Sequence, residues 1–289
     1  MDDRQQGYDE QAALWNGVAG QGWVRAQRVL DRLFEPMEAA LVQAVVQRGP
    51  GQVLDVGCGT GATTLAVARE MGERGRCIGI DVSGPMIDAA RRRAENEGSL
   101  AQFVCDDAQR YRFAAGSFDT VISRLGVMFF DDPVTAFRNL RTAMREGGVV
   151  RAIVWRSAAE NPFMTVAEQA AAPLIPSLPA RQPGAPGQFA FADAGRVSDI
   201  LERSGWADIA VRRVDFACGF PAAELAGYVT NVGPVGRVFG DLDRDTRERV
   251  VRTVLPAFDR FLDAGEVRFT AACWLVEATA PSGEGLHHR

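Results

Sequence analysis

Three glycines at alternate positions, Gly57, Gly59 and Gly61, follow the apolar run Val53-Leu54-Asp55-Val56 and lead into a helical stretch beginning at Ala62. Glycine adopts dihedrals closed to other residues, so a turn of this kind brings bare N–H and C=O groups against a ligand that side chains would hold off. The chemistry it serves is the holding of a nucleotide-like cofactor. Asp81 closes the next apolar run, Cys77-Ile78-Gly79-Ile80, at about the spacing where doubly wound folds set a carboxylate on a ribose diol. Loop and carboxylate together point to an adenosine-containing ligand. Taken alone, the loop also satisfies the nicotinamide dinucleotide fingerprint, as Gly57-x-Gly59-x-x-Ala62. Cys58, between two of the glycines, reads as a small packing residue rather than a nucleophile.

Such residues need strands that end side by side, and the periodicity supplies them. Apolar residues at helical spacing predict helices over Gln11–Ala26 and Asp31–Gln47. Strand and helix then alternate: strand Gln52–Val56, helix Ala62–Met71, strand Arg76–Ile80, helix Pro85–Asn96, strands Ala101–Cys105 and Phe118–Ile122, helix Pro133–Arg145, strand Val149–Trp155. This is the pattern of an α/β fold with a doubly wound parallel sheet. Pro85 suits the first turn of its helix, and Gly147-Gly148 is expected to stop the helix before the last of these strands. From Ser157 to Gly195 six prolines break any long pattern, predicting a lid-like connection with a short helix around Phe163–Ala172. Arg196–Gly205 then reads as a helix and Ala207–Phe216 as a strand. Ala222–Leu262 reads as helices broken near Gly233-Pro234, and Phe269–Ala278 as a last strand. The helical block thus interrupts an antiparallel pair. The division expected is a helical leader (1–50), a cofactor-binding half (51–156), the lid-like insertion (157–195), a segment completing the sheet with a helical insert (196–280), and a polar tail (281–289).

Composition narrows the partners. A chain of 289 residues with 47% hydrophobic content can bury one sizeable core, or a core with a modest cap. The net charge of −5 and the scatter of its arginines leave no electrostatic footprint for a polyanion, so nucleic acid is not an expected partner. Five widely spaced cysteines fit reduced, buried thiols and a reducing cytoplasm better than bridges or a metal site. The amino terminus lacks a basic start followed by an apolar run, and no apolar segment is long enough to span a bilayer, so a soluble, unprocessed chain without a membrane partner is expected.

The order of elements, with Asp55-Val56-Gly57-Cys58-Gly59-Thr60-Gly61, Asp81 and Asp107-Ala108, resembles the class I S-adenosylmethionine-dependent methyltransferases. It lies close to the small-molecule branch that includes quinone-biosynthesis C-methyltransferases. The resemblance is strong from Asp31 to Trp155 and covers the rest in outline. It implies a Rossmann-like seven-stranded sheet and S-adenosylmethionine as cofactor. The loop from Asp55 through Thr63 would wrap the methionine part, Asp81 would hold both ribose hydroxyls, and Val82 and Met86 would flank the adenine ring. Asp107-Ala108, with Cys105 and Asp106 beside it, would meet the adenine edge. Ser123-Arg124-Leu125 falls where the family positions the methionine end and the incoming substrate. Asp55 inside the strand, the Asp107-Ala108 pair and the helical leader separate this resemblance from a dinucleotide oxidoreductase, which is kept as an alternative.

Methyl transfer from a sulfonium is an in-line displacement in which positive charge is lost, so alignment supplies most of the rate. The two histidines, His287 and His288, sit in the tail, so no histidine base is expected, and a phenolate, enolate or amine acceptor would fit. Ser123-Arg124-Leu125-Gly126 stands where nucleobase- and amide-modifying relatives carry an Asn-Pro-Pro-aromatic or Asp-Pro-Pro-aromatic signature. Ser123 also replaces the acidic ligand of metal-dependent catechol O-methyltransferases, so no metal is expected. No short cysteine spacing suggests arsenic. Met128-Phe129-Phe130 reads either as an apolar substrate wall or as core, and the aromatic leader with Tyr8, Trp15 and Trp23 either as a cover over the cleft or as an anchor. A small, partly apolar organic acceptor is the expected substrate. A cofactor-dependent reaction without methyl transfer, such as a cyclisation, and a non-catalytic cofactor sensor are the alternatives.

Overall fold

Val53, Leu54, Asp55 and Val56 are all buried, as a strand must be when helices cover both of its faces. In the computed structural model, which describes residues 11–178, 181–182 and 184–282, this strand, β1 (Gln52–Val56), belongs to an eight-stranded sheet. The others are β2 (Arg76–Asp81), β3 (Gln102–Cys105), β4 (Phe118–Arg124), β5 (Met144–Trp155), β6 (Ala207–Pro221), β7 (Leu262–Asp263) and β8 (Glu266–Thr279). Seven of them run in the order β3-β2-β1-β4-β5-β8-β6. Pairs from β3 to β5 are parallel, and β8 lies antiparallel between β5 and β6. The chain winds outward from β1 through β2 to β3, then returns to lay β4 on the other side of β1. A crevice therefore opens at the carboxyl ends of β1 and β4, where such sheets bind ligands.

The helices are α1 (Val18–Arg25), α2 (Gln27–Arg48), α3 (Ala62–Met71), α4 (Gly84–Glu97), α5 (Pro133–Ala143), α6 (Phe163–Ala171), α7 (Ala194–Arg203), α8 (Leu225–Asn231), α9 (Gly233–Phe239) and α10 (Arg244–Val254); residues 11–16 are helical as well. α2 buries Val29, Leu33, Phe34, Met37, Leu41 and Val45, one face of a 3.6-residue period, and packs on α3 and β6. Side-chain oxygens of Asp132, Asp193 and Asp243 accept the N–H three residues on and cap α5, α7 and α10. Ser83 caps α4, with Pro85 in its first turn. Phe163 of α6 stacks on Phe269 at 3.8 Å and packs edge-on to Phe258 and Phe261 at 5.3 Å, which fastens the helical insert to the long β6–β8 arms. No helix of the described residues is long and apolar enough to cross a membrane.

Three expectations are corrected. α5 ends at Ala143 and β5 begins at Met144, so Gly147-Gly148 does not stop a helix. Gly147 N–H donates to Ala280 and Ala280 N–H to Gly148, at 2.9 and 2.7 Å, which pins the start of β5 to the end of β8. The leader breaks at Gly17 and Ala26 rather than over residues 27–30. β7, not expected, pairs with the start of β8 across Ala264-Gly265, whose φ values of 48° and 83° make the twisted two-residue turn that hairpins prefer. Alanine hides that turn from a search for Asn-Gly or Asp-Gly.

Burial has an electrostatic cost within β1. Desolvation raises the Asp55 pKa from the ordinary 3.8 to about 6, against the Thr64 hydroxyl, which donates to its Oδ2 at 2.7 Å, and the nearby Arg124 charge. A carboxyl whose folded pKa exceeds its unfolded value keeps protons that the unfolded chain releases. Its contribution is full below pH 3.8 and lost as pH rises through about 6, a change on the order of 3 kcal/mol. Asp55→Asn keeps an acceptor for Thr64 and removes the titration. In urea titrations between pH 4 and 8 the variant should gain on the wild type as pH rises; a stability difference that does not vary with pH would refute the assignment.

Candidate active site

Two backbones nearly touch at the crevice. A Cβ on Gly57 (φ +68°) would lie 2.6 Å from Gly126 Cα, and one on Gly126 would lie 2.6 Å from the Val56 carbonyl oxygen. Ser123 seals the contact: its hydroxyl donates to Val56 O at 2.8 Å and accepts the N–H groups of Gly126 and Val127 at 3.2 Å. The three loop glycines thus have separate reasons. Gly57 permits the close approach, whereas Gly61 (φ +85°) lets α3 start against Phe103 and Ala90. Gly59 (φ +56°) faces open space, with only the Met86 sulfur, at 3.7 Å, within reach of an added Cβ. Asp81 ties this loop to the next turn, accepting Gly59 N–H at 2.8 Å on one oxygen and Ser83 N–H at 2.9 Å on the other. Burial pushes its pKa up, and those backbone donors pull it down.

A cleft of about 890 Å³ opens beside these turns. Of the expected residues, Gly57, Gly59, Asp81, Val82, Met86, Asp106, Asp107, Ala108, Arg124, Trp15 and Phe129 line it. Three polar atoms of its lining residues are buried without a hydrogen-bond partner among the described residues, Gln11 Oε1, Asp107 Oδ2 and Arg124 Nη1. The Asp107 pKa is raised by burial, while its Oδ1 accepts Gln109 N–H at 2.9 Å. The Asp107 N–H donates to Asp106 at 2.7 Å, so the backbone donor expected of the Asp107-Ala108 pair is not Asp107's own. The Arg124 guanidinium lies over the Phe34 ring at 5.5 Å. Asp107 follows β3 and Arg124 ends β4, strands that stand three positions, or about 14 Å, apart in the sheet.

Five expected contacts lie behind the cleft wall rather than on it. Asp55 faces Thr64, Gly61 and Thr63 belong to the start of α3, and Ser123 binds the two turns together. Cys58 is buried against Gly79, where a Cβ would meet its sulfur at 2.7 Å, and desolvation pushes its thiol pKa far up, in keeping with packing. Sequence alone does not distinguish a loop residue facing ligand from one facing core. Tyr8 lies outside the described residues, as do His287 and His288. Gln11, Trp23, Gln109, Leu125, Gly126, Phe130 and Asp131 complete the wall. Leu125, expected here with Ser123 and Arg124, is buried at φ +63°, a strained setting for a non-glycine residue.

A second cavity, about 1830 Å³, adjoins the cleft and shares Gln11, Trp15, Trp23, Leu125 and Phe129 with it. Met128 lines this cavity only. Phe34, Trp155, Phe189 and Tyr228 add to its aromatic walls, and Arg181, Arg237 and Tyr228 are its titratable side chains. Burial raises the Tyr228 pKa, so that its phenol stays neutral. Edge-to-face contacts join Phe129 to Trp15 at 5.1 Å and Trp15 to Trp23 at 5.9 Å, which makes Trp15 the partition between the spaces. The leader is held there by polar ties to the turn after Asp81. Ser83 Oγ donates to Trp15 O at 2.6 Å, Asn16 Nδ2 to Val82 O at 3.0 Å, and Gly84 N–H to Asn16 Oδ1 at 2.9 Å.

Residues 53–148 match the family described as a methyltransferase domain. Over 236 residues, 77% of this chain and 82% of the relative, the sequence is 29% identical to a nocamycin O-methyltransferase of Saccharothrix syringae. It is 34% identical over 134 residues to the aklanonic acid methyltransferase DauC of Streptomyces sp. strain C5, covering 44% of this chain and 60% of that one. A phosphoethanolamine N-methyltransferase 2 of Haemonchus contortus, solved with phosphomonomethylethanolamine and S-adenosylhomocysteine, has the same fold, with a TM-score of 0.55 at 17% identity over 94% of this chain and 60% of that one. The cofactor loop is open to a direct test by calorimetry with S-adenosylhomocysteine. Asp81→Ala should weaken binding by on the order of 2–4 kcal/mol, through loss of charge-assisted hydrogen bonds. Gly59→Val, whose side chain would project into the cleft, should abolish it, and wild-type affinity in either variant would remove Asp81 or the loop from the site. Strand order, crevice and relatives agree: the chain carries a methyltransferase domain over residues 53–148 and is similar over most of its length to S-adenosylmethionine-dependent methyltransferases of small molecules.

Proposed function

We propose that the cleft holds S-adenosylmethionine extended along the strand ends and that the adjoining cavity holds a flat, largely apolar acceptor whose acidic oxygen takes the methyl group. The observation that carries this reading is the shared wall of Trp15, Leu125 and Phe129, where two ligands would meet end to end. In this reading Asp81 accepts from the ribose hydroxyls and the open Asp107 oxygen from the adenine amine, while Val82 and Met86 cover the ring. The open Arg124 nitrogen pairs with the methionine carboxylate, with the Gly57 and Gly59 backbone against the chain between. Bound, the cofactor supplies an electrophilic methyl on a sulfonium; the protein's part is alignment and exclusion of water. The leader, tied to the Asp81 turn, closes the upper side of both spaces. The large aromatic cavity and a relative that is an O-methyltransferase support an enol or phenol oxygen as the acceptor. The net charge of −5 supports a small molecule over nucleic acid, and the free cysteines support a reducing cytoplasm.

The described cavity walls hold no histidine or carboxylate beside the acceptor space, and Tyr228 stays protonated, so the acceptor ionises on its own or to water. Calorimetry with S-adenosylhomocysteine beside NADH tests the cofactor: micromolar binding of the first alone is expected, and binding of NADH alone would overturn the reading. With an acceptor found by mass shift, log(kcat/KM) should rise with unit slope up to the acceptor's own pKa. A profile indifferent to that pKa across an acceptor series would mean that the enzyme supplies a base.

A further inference from the structure

Resting on the proposal that the second cavity receives the acceptor, we infer that Arg237 is an anchor for an anionic group on the acceptor, set apart from the atom that is methylated. Arg237 lines the second cavity and not the cleft, whereas the wall where methyl transfer would occur is made by Trp15, Leu125 and Phe129. The acceptor therefore has two polar points. One is its nucleophilic oxygen at the partition, and the other an acid, such as a carboxylate or an ionised vinylogous acid, at Arg237, with an aromatic or polyene body between them.

Three observations support the assignment. First, Arg237 has no ion pair or hydrogen bond among the described residues, although it is half-buried. The acidic group whose charge bears on it, Glu168, is already committed to Arg181 through two bonds of 2.7 and 2.8 Å. An unpaired guanidinium in an apolar cavity is costly, and an anionic ligand removes that cost by a bidentate bond. Desolvation first, and then the Arg181 charge, weigh against the protonated form of Arg237, in the direction an anion would reverse. Second, the residue is rigidly placed. An added Cβ on Gly236 would lie 2.4 Å from the Asn231 carbonyl carbon, and one on Gly22 2.2 Å from Asn231 O, so α9, α8 and α1 meet with backbones in contact. Arg25 Nε donates to Asn231 Oδ1 at 2.6 Å across the same junction. The backbone that carries Arg237 is therefore fixed against the wall of the cavity, as the support of a specificity contact must be. Third, the other charged side chain of the lining, Arg181, lies over Phe189 at 4.8 Å and is paired with Glu168, so Arg237 is the one charged group of the cavity wall without a partner among the described residues, beside the aromatic rings of Phe34, Trp155 and Tyr228.

The test uses fluorescence titration of the S-adenosylhomocysteine-saturated protein with 2-anthracenecarboxylate and with its neutral analogue anthracene-2-carboxamide. The wild type should bind the acid at least about tenfold more tightly than the amide. Arg237→Gln should bring the acid down to the amide while leaving amide and S-adenosylhomocysteine affinities unchanged, and Arg237→Lys should keep part of the preference. Equal binding of the two probes by the wild type, binding of neither, or an acid preference that survives Arg237→Gln would each overturn the anchor. Calorimetry with S-adenosylhomocysteine on the same samples separates the outcomes: intact cofactor binding without acid preference removes the anchor alone, and no cofactor binding by the wild type removes the reading beneath it. Should Arg237→Gln fail to fold, the comparison of acid with amide in the wild type and in Arg237→Lys still decides.

Discussion

The crevice depends on one steric constraint, the contact between the turn after β1 and the turn after β4. Neither Gly57 nor Gly126 has room for a methyl group, because each would drive its Cβ into the other's backbone. Ser123 supplies what the bare backbones cannot, a hydroxyl that both donates and accepts across the gap. With the two strand ends locked together, Leu125 is forced into its left-handed conformation, where its N–H reaches Ile153 O at 2.9 Å. The strain is held by packing on all sides, and it puts Leu125 on the boundary of both cavities.

Charge is arranged along the same edge. Asp81 and Asp107 sit in the cleft wall on the β2 and β3 side, both with pKa values raised by burial, and Arg124 sits at the β4 end. Such a cleft has a direction. It favours a ligand with hydrogen-bond donors at one end and an anionic group at the other. Asp55 and Glu38 lie near Arg124, so the guanidinium is partly compensated without being paired and stays available at Nη1. The same reasoning explains why Asp81 is a better organising residue than a neutral one. Its two oxygens draw the Gly59 and Ser83 amides together and so join the glycine loop to the turn that holds the leader.

How much was legible in the sequence follows from distance along the chain. β1 and α3 have the bounds that the pattern predicts, Gln52–Val56 and Ala62–Met71, because the strand, the turn and the helix are one continuous signal. Asp81 was legible for the same reason, since it ends an apolar run, whereas Asp107 came only from the family resemblance. Facing was not. Asp55, Cys58, Thr63 and Ser123 carry the pattern of ligand contacts, yet turn into the scaffold, since a tight loop divides its side chains between cleft and core by dihedrals that composition does not encode. Gly147-Gly148 was misread because a glycine pair suits a helix stop and a strand start alike, and only its partner, Ala280, decides.

The acceptor side was hidden for a different reason. Its walls come from the leader, the end of β4, β5, residues 181–182 and 184–190 and the α8–α9 junction, stretches scattered over most of the chain that show no shared periodicity. What brings them together is the packing of glycines on Asn231 and of aromatic rings on Trp15, contacts made between elements rather than within them. This division has a physical logic. In the cofactor half, the glycine loop, Asp81 and Asp107 lie at or just after the ends of three consecutive strands, β1, β2 and β3, so their placement follows from the strand order itself. The acceptor half needs only a hydrophobic lining and a few polar points, which many sequences can supply, so its specificity rests on single residues such as Arg237 that no local pattern announces.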